Sequence, residues 1–120
     1  MPQEAAEYRE LTLRAARLIE EKNAREITIL EVGKVSVIAD YFIIATGGSK
    51  VQLHTICDFL KEELKAEGIA PVRIEGYREG WWIVLDYGFM IIHLFQPESR
   101  EFYNIERLWA DARQVTSGGV

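Results

Sequence analysis

The stretch from Trp81 to Phe95 constrains this chain more than any other part of it. It is almost continuously apolar, yet it is too short to cross a bilayer as a helix and is broken by Asp86 and Gly88. Aromatic and β-branched residues around a glycine turn predict a β-hairpin reversing near Asp86-Tyr87-Gly88. Alternation then puts Trp82, Val84 and Asp86 on one face and Trp81, Ile83, Leu85 and Tyr87 on the other. A hairpin that is apolar on both faces requires cover on both. Two readings follow: either both faces are core, or one carries an apolar patch that a partner covers.

The remaining pattern supplies the covering layers. Tyr8, Leu11, Ala15, Leu18 and Ile19 recur on one side of a helix predicted from about Glu4 to Asn23. Ile27–Val32 and Tyr41–Thr46 read as strands, the second apolar on both faces and therefore internal. Gly47-Gly48-Ser49 opens a helix that runs to about Glu67, with Ser49 and Gln52 at capping-box spacing and Gly68 at its end. Val72–Glu75 forms a further strand. Gln96-Pro97-Glu98 ends the hairpin's second strand, and a last helix is predicted from about Asn104 to Gln114. The order α-β-β-α-β-β-β-α implies a mixed five-stranded sheet flanked by helices. Residues 1–115 read as one α/β domain and residues 116–120 as a frayed tail.

Composition narrows the partners. A hydrophobic fraction of 48% with 28% charged residues is that of a globular domain. One cysteine, Cys57, excludes an internal disulfide, and the acidic start lacks the apolar core of a secretory signal. The expectation is a soluble, cytoplasmic protein with no membrane segment. With 19 acids against 14 bases and no basic run, the chain is poorly suited to neutralising phosphates, so little or no direct RNA contact is expected. An acidic protein suits a basic protein partner.

The residues argue against catalysis. Gly47-Gly48-Ser49 is neither a P-loop nor a dinucleotide fingerprint, and a helix cap accounts for it. Nucleotidyl transfer needs paired carboxylates for metal ions, whereas Asp58 lies in a helix and the next strand offers only Glu75. His54, Cys57 and His93 lack metal-ligand spacing, and a mid-helix Cys57 has no feature to lower its pKa. No catalytic residue, cofactor or metal is expected.

Several motifs in one order now identify a relationship. Asp40-Tyr41-Phe42-Ile43-Ile44-Ala45-Thr46-Gly47, Ile74-Glu75-Gly76, Trp82 to Gly88, His93-Leu94-Phe95, Arg100-Glu101-Phe102-Tyr103 and Leu108-Trp109 resemble the ribosomal silencing factor, or Iojap-like, family over nearly the whole chain. The resemblance implies a nucleotidyltransferase-like fold without catalysis. It also implies binding to the large ribosomal subunit through the ribosomal protein numbered fourteen, a steric block to subunit joining, and repression of translation when nutrients are scarce. Organellar relatives assist large-subunit assembly, and members often form homodimers. Trp82 and Phe95 are then the expected apolar anchors, with Asp86 and Glu98 for basic groups and Arg100 and Tyr103 extending the rim. Tyr87 and His93 complete the expected partner-binding set, His93 with an alternative structural role. One departure stands out: the family commonly carries an acid after the hairpin glycine, where this chain has Phe89.

Overall fold

A computed structural model describes residues 2–115, so the tail expected at 116–120 lies outside the described residues. The elements are α1 (Pro2–Glu21), β1 (Arg25–Glu31), β2 (Tyr41–Thr46), α2 (Lys50–Ala66), β3 (Arg73–Glu75), β4 (Trp82–Asp86), β5 (Met90–Phe95), α3 (Pro97–Tyr103), α4 (Ile105–Leu108) and β6 (Arg113–Val115). The sheet is mixed and has six strands in the order β3-β4-β5-β2-β1-β6. β2 and β5 run parallel at its centre, Tyr41 opposite Met90 and Thr46 opposite Phe95, and every residue of both strands is buried.

The expectation of five strands is corrected here, and with it the single last helix from Asn104 to Gln114. Pro97 begins α3 at a first-turn position, where its missing N–H has no helical partner to lose. Asn104 adopts the left-handed region (φ 43°), which separates α3 from the short α4. Beyond Trp109 the chain returns as β6 and pairs antiparallel with β1, Val115 opposite Ile29 and Arg113 opposite Glu31. Pairing the open edge of β1 outweighs the helix propensity of Ala110, Ala112 and Gln114.

The two faces of the sheet are covered unequally. α1 and α2 pack on one, burying Ala15, Leu18, Ile19, Leu53, Ile56, Leu60 and Leu64 against Ile29, Ile43, Ile83, Leu85, Ile92 and Leu94. The other face presents Leu30, Phe42, Ile44, Ile91 and Phe95, closed by Ile105, Trp109 and Ala112 from the short C-terminal segment. Alternate exposure along β4 records the difference: Ile83 and Leu85 are buried, while Trp82, Val84 and Asp86 are only partly covered.

Two local devices fix the frame. In the hairpin, Gly88 takes φ 86° and the Tyr87 amide donates to the Met90 carbonyl at 2.9 Å, the positive φ that a two-residue turn demands at its first position. At the start of α2, Ser49 Oγ accepts from the Gln52 amide at 3.1 Å, as its spacing predicted. The Gln52 side chain reaches back one residue further than a standard capping box, accepting from the Gly48 amide at 2.6 Å. Its Nε2 also donates to the carbonyls of Lys22 and Asn23, at 3.3 and 3.2 Å, just beyond the end of α1. Gln52→Ala removes the three side-chain hydrogen bonds at once, keeping the amide that caps on Ser49, and is expected to destabilise the fold by about 1–2 kcal/mol. Urea unfolding measures this as a lower midpoint with an unchanged slope; an unchanged midpoint would show that water replaces the side chain at no cost.

Candidate functional site

The thinly covered face of the sheet brings together four of the eight residues expected to meet a partner: Trp82, His93, Phe95 and Tyr103. Trp82, on β4, stands opposite Phe95 on β5, and their rings stack at 4.9 Å. Tyr103, at the end of α3, lies tilted against the indole at 4.8 Å. His93, one strand position back on the same face, meets Phe42 edge-on at 4.8 Å. The indole Nε1–H donates to His93 Nδ1 at 3.1 Å. With Nδ1 accepting, the single N–H of a neutral imidazole is on Nε2, where it has no partner among the described residues. Burial holds the imidazole neutral and pushes its pKa down to about 4.

Exposure divides these residues into layers. Phe95 is completely buried, a floor beneath Trp82 rather than an open contact, and His93 is 7% exposed. What reaches the surface is Tyr103 (51%), Phe102 (80%) and Leu108 (77%), around the partly covered Trp82. Phe102 packs edge-on against Tyr103 at 5.0 Å, and Leu108 shares an open groove with both, alongside Glu101, Asn104 and Arg107. Phe102 and Leu108 were absent from the expected set. Two adjacent aromatics cannot both face inward from a seven-residue helix, but α3 itself is not predicted from the sequence, so the signal emerges only with the structure.

The other expected residues are placed differently. Glu98 is exposed in the first turn of α3. Asp86 is committed to the hairpin, accepting from the Gly88 amide at 2.8 Å and pairing with Arg73 at 3.5 Å. Tyr87 lies on the opposite face, in the core beneath α1 and α2, where burial pushes its phenol up to about 12. Arg100 turns inward: its side chain is 11% exposed and bonded to β1, β2 and α4. Phe89, the departure from the family pattern, stacks on Tyr8 of α1 at 4.4 Å, on the side of the sheet away from Trp82.

The groups considered for catalysis are dispersed. Cys57 is buried in the α1–α2 core, which pushes its thiol up to about 11, away from the thiolate. His54 and His93 are on opposite sides of the sheet, and Asp58 accepts from the Tyr77 hydroxyl at 3.0 Å. Among the described residues no cluster of three His, Cys, Asp or Glu side chains could hold a metal ion, and no helix is long and apolar enough to cross a membrane.

Residues 5–119 match the family model described as "Ribosomal silencing factor during starvation". The ribosomal silencing factor RsfS of Halalkalibacterium halodurans is 36% identical over 111 residues, spanning 92% of this chain and 95% of that protein. A mouse protein named "Mitochondrial assembly of ribosomal large subunit protein 1" is 38% identical over 95 residues, 77% of this chain and 42% of its own length. Among solved structures, a Chromobacterium violaceum protein superposes with a TM-score of 0.83 at 29% identity, covering 85% of each chain. A Bacillus halodurans protein superposes with a TM-score of 0.80 at 31% identity, covering 90% of this chain and 98% of that one.

Proposed function

The chain belongs to the ribosomal silencing factor family, and we propose that it represses translation, without catalysis, by docking on the large ribosomal subunit and blocking the small subunit sterically. The observation that carries this reading is the exposed apolar strip of Tyr103, Phe102 and Leu108 around Trp82, on the one sheet face that helices leave thinly covered. Apolar side chains that approach one another at a surface and are rimmed by charge mark an interaction site. Glu101 and Arg107 line the groove beside the strip, and Glu98 is exposed in the first turn of α3; the two acids suit a basic protein surface. We take that surface to be the ribosomal protein numbered fourteen, with Trp82 and Tyr103 as anchors and Phe95 and His93 as their support. The reading includes a nucleotidyltransferase-like fold without its metal-binding carboxylates, a cytoplasmic site of action, little direct RNA contact, and a homodimer that competes for the same strip.

Co-sedimentation with isolated ribosomal subunits tests it. The expected result is binding to the large subunit alone, at micromolar protein or below, with subunit joining lost as the protein is added. Binding to neither subunit at low salt would reject the reading. A second role, in large-subunit assembly, is favoured by the name of the mouse relative. It predicts that the protein also accompanies immature large subunits, and binding to mature subunits alone would exclude it. Binding to protein-free ribosomal RNA with a steep salt dependence would replace the protein partner with an RNA one.

A further inference from the structure

The α3–α4 segment carries the exposed docking residues but has little apolar anchorage of its own. Only Ser99 is buried in α3 and only Ile105 in α4. The two helices are kinked at Asn104, whose φ of 43° interrupts helical continuity between Tyr103 and Leu108. Something else must fix the angle at which Phe102, Tyr103 and Leu108 are presented.

Arg100 has the geometry to do so. Its Nε and Nη2 donate to the two carboxylate oxygens of Glu106 at 3.1 and 2.9 Å, a bidentate pair that spans the kink from α3 to α4. Nη1 donates to the Glu26 carbonyl at 2.6 Å and to Thr46 Oγ1 at 2.8 Å, and Nη2 donates also to Thr28 Oγ1 at 3.3 Å. A guanidinium has five N–H groups, and these contacts use them all. None is left for a partner. The acceptors on β1 sit at an irregularity: the register with β2 slips between Arg25 and Thr28, and Glu26 takes φ 51°, a left-handed conformation that disfavours any side chain. Arg100 therefore ties a bulge in the sheet to both halves of the docking segment.

We propose that Arg100 is a positioning residue for docking: it makes no contact with the partner and acts through the orientation of Tyr103 and its neighbours. This rests on the reading that the Trp82–Tyr103 face docks on the large subunit. A lysine offers three donors from a single atom and cannot span these acceptors, so Arg100→Lys should behave as a partial loss despite its retained charge.

The test is a double-mutant cycle on large-subunit affinity, with hydrogen exchange on the free protein. Arg100→Ala is expected to weaken binding at least tenfold, and Arg100→Lys about threefold. Exchange should quicken in residues 97–109 while the amides of β2 and β5 keep their protection. In a Tyr103→Ala background, Arg100→Ala should cost about threefold rather than tenfold further, because one of the residues it positions is gone. An equal tenfold loss in both backgrounds would make Arg100 a direct contact and overturn the proposal, as would binding by Arg100→Ala within twofold of wild type. If Arg100→Ala fails to fold, Glu106→Ala replaces it, with the same local exchange and a threefold or greater loss expected; unchanged affinity in that variant also overturns the proposal. Absence of wild-type binding removes the docking reading and this inference together, whereas wild-type binding with additive variants removes this inference alone.

Discussion

Replacing Trp82 with alanine is expected to weaken large-subunit binding by roughly thirtyfold or more, which corresponds to the ~2 kcal/mol of an interface hot spot. The indole touches both the buried Phe95 ring and the exposed Tyr103 ring. Truncating it therefore removes a contact surface and also releases Tyr103. The fold itself pays a separate cost, about 2 kcal/mol, because a partly buried aromatic is lost and the buried His93 Nδ1 loses its donor. A domain of this size has about 5–15 kcal/mol of stability, so the variant remains folded. The two effects are separated by Trp82→Phe, which keeps an aromatic ring over Phe95 and gives up the indole N–H. That variant should retain most of the binding while showing part of the loss in stability. If folded Trp82→Ala binds as well as wild type, Trp82 is not the anchor, and Phe102 and Leu108 become the residues to truncate next.

Trp82 also shows where sequence reasoning reaches and where it stops. Strict alternation in β4 assigns every side chain to its observed face, because the pleat allows no other arrangement once the strand is recognised. The bounds of β2 were legible for a similar reason: an apolar run between Asp40 and Gly47 has one place to start and one to stop. Depth within a face was not legible. Phe95 and Trp82 are equivalent by pattern, yet Phe95 is a floor and Trp82 is half open, because α3 and the Ile105–Ala112 segment pack over one strand more than the other. Arg100 was equally opaque. Its acceptors come from Glu26, Thr28 and Thr46, more than fifty residues away, and no local pattern announces such a network. The sixth strand escaped for the same reason, since β6 exists only because β1 has an edge to fill. Local periodicity determined the elements, and long-range pairing determined which residues of the site are free to meet a partner.

Acid should weaken the fold through one residue of that site. His93 titrates near 6.5 when unfolded and is pushed down to about 4 in the native state. Above pH 6.5 the imidazole is neutral in both states and the stability is at its full value. Between 6.5 and 4 the unfolded chain takes up a proton that the native state does not, so stability falls as pH falls; below 4 both states are protonated and this contribution levels off. The difference corresponds to about 3 kcal/mol at 1.36 kcal/mol per pKa unit. The origin of the cost is burial of the imidazole; protonation also turns Nδ1 from an acceptor into a donor and sets it against the donating Trp82 Nε1–H. His93→Gln supplies a side-chain oxygen that can accept from the indole and does not titrate, so it isolates this contribution from those of the carboxylates. Urea unfolding at intervals between pH 7.5 and 4.5 should give a steep loss for wild type and a shallower one for His93→Gln. Parallel curves would mean that His93 is reached by solvent in the native state. The indole would then lack the support that makes Trp82 a rigid anchor.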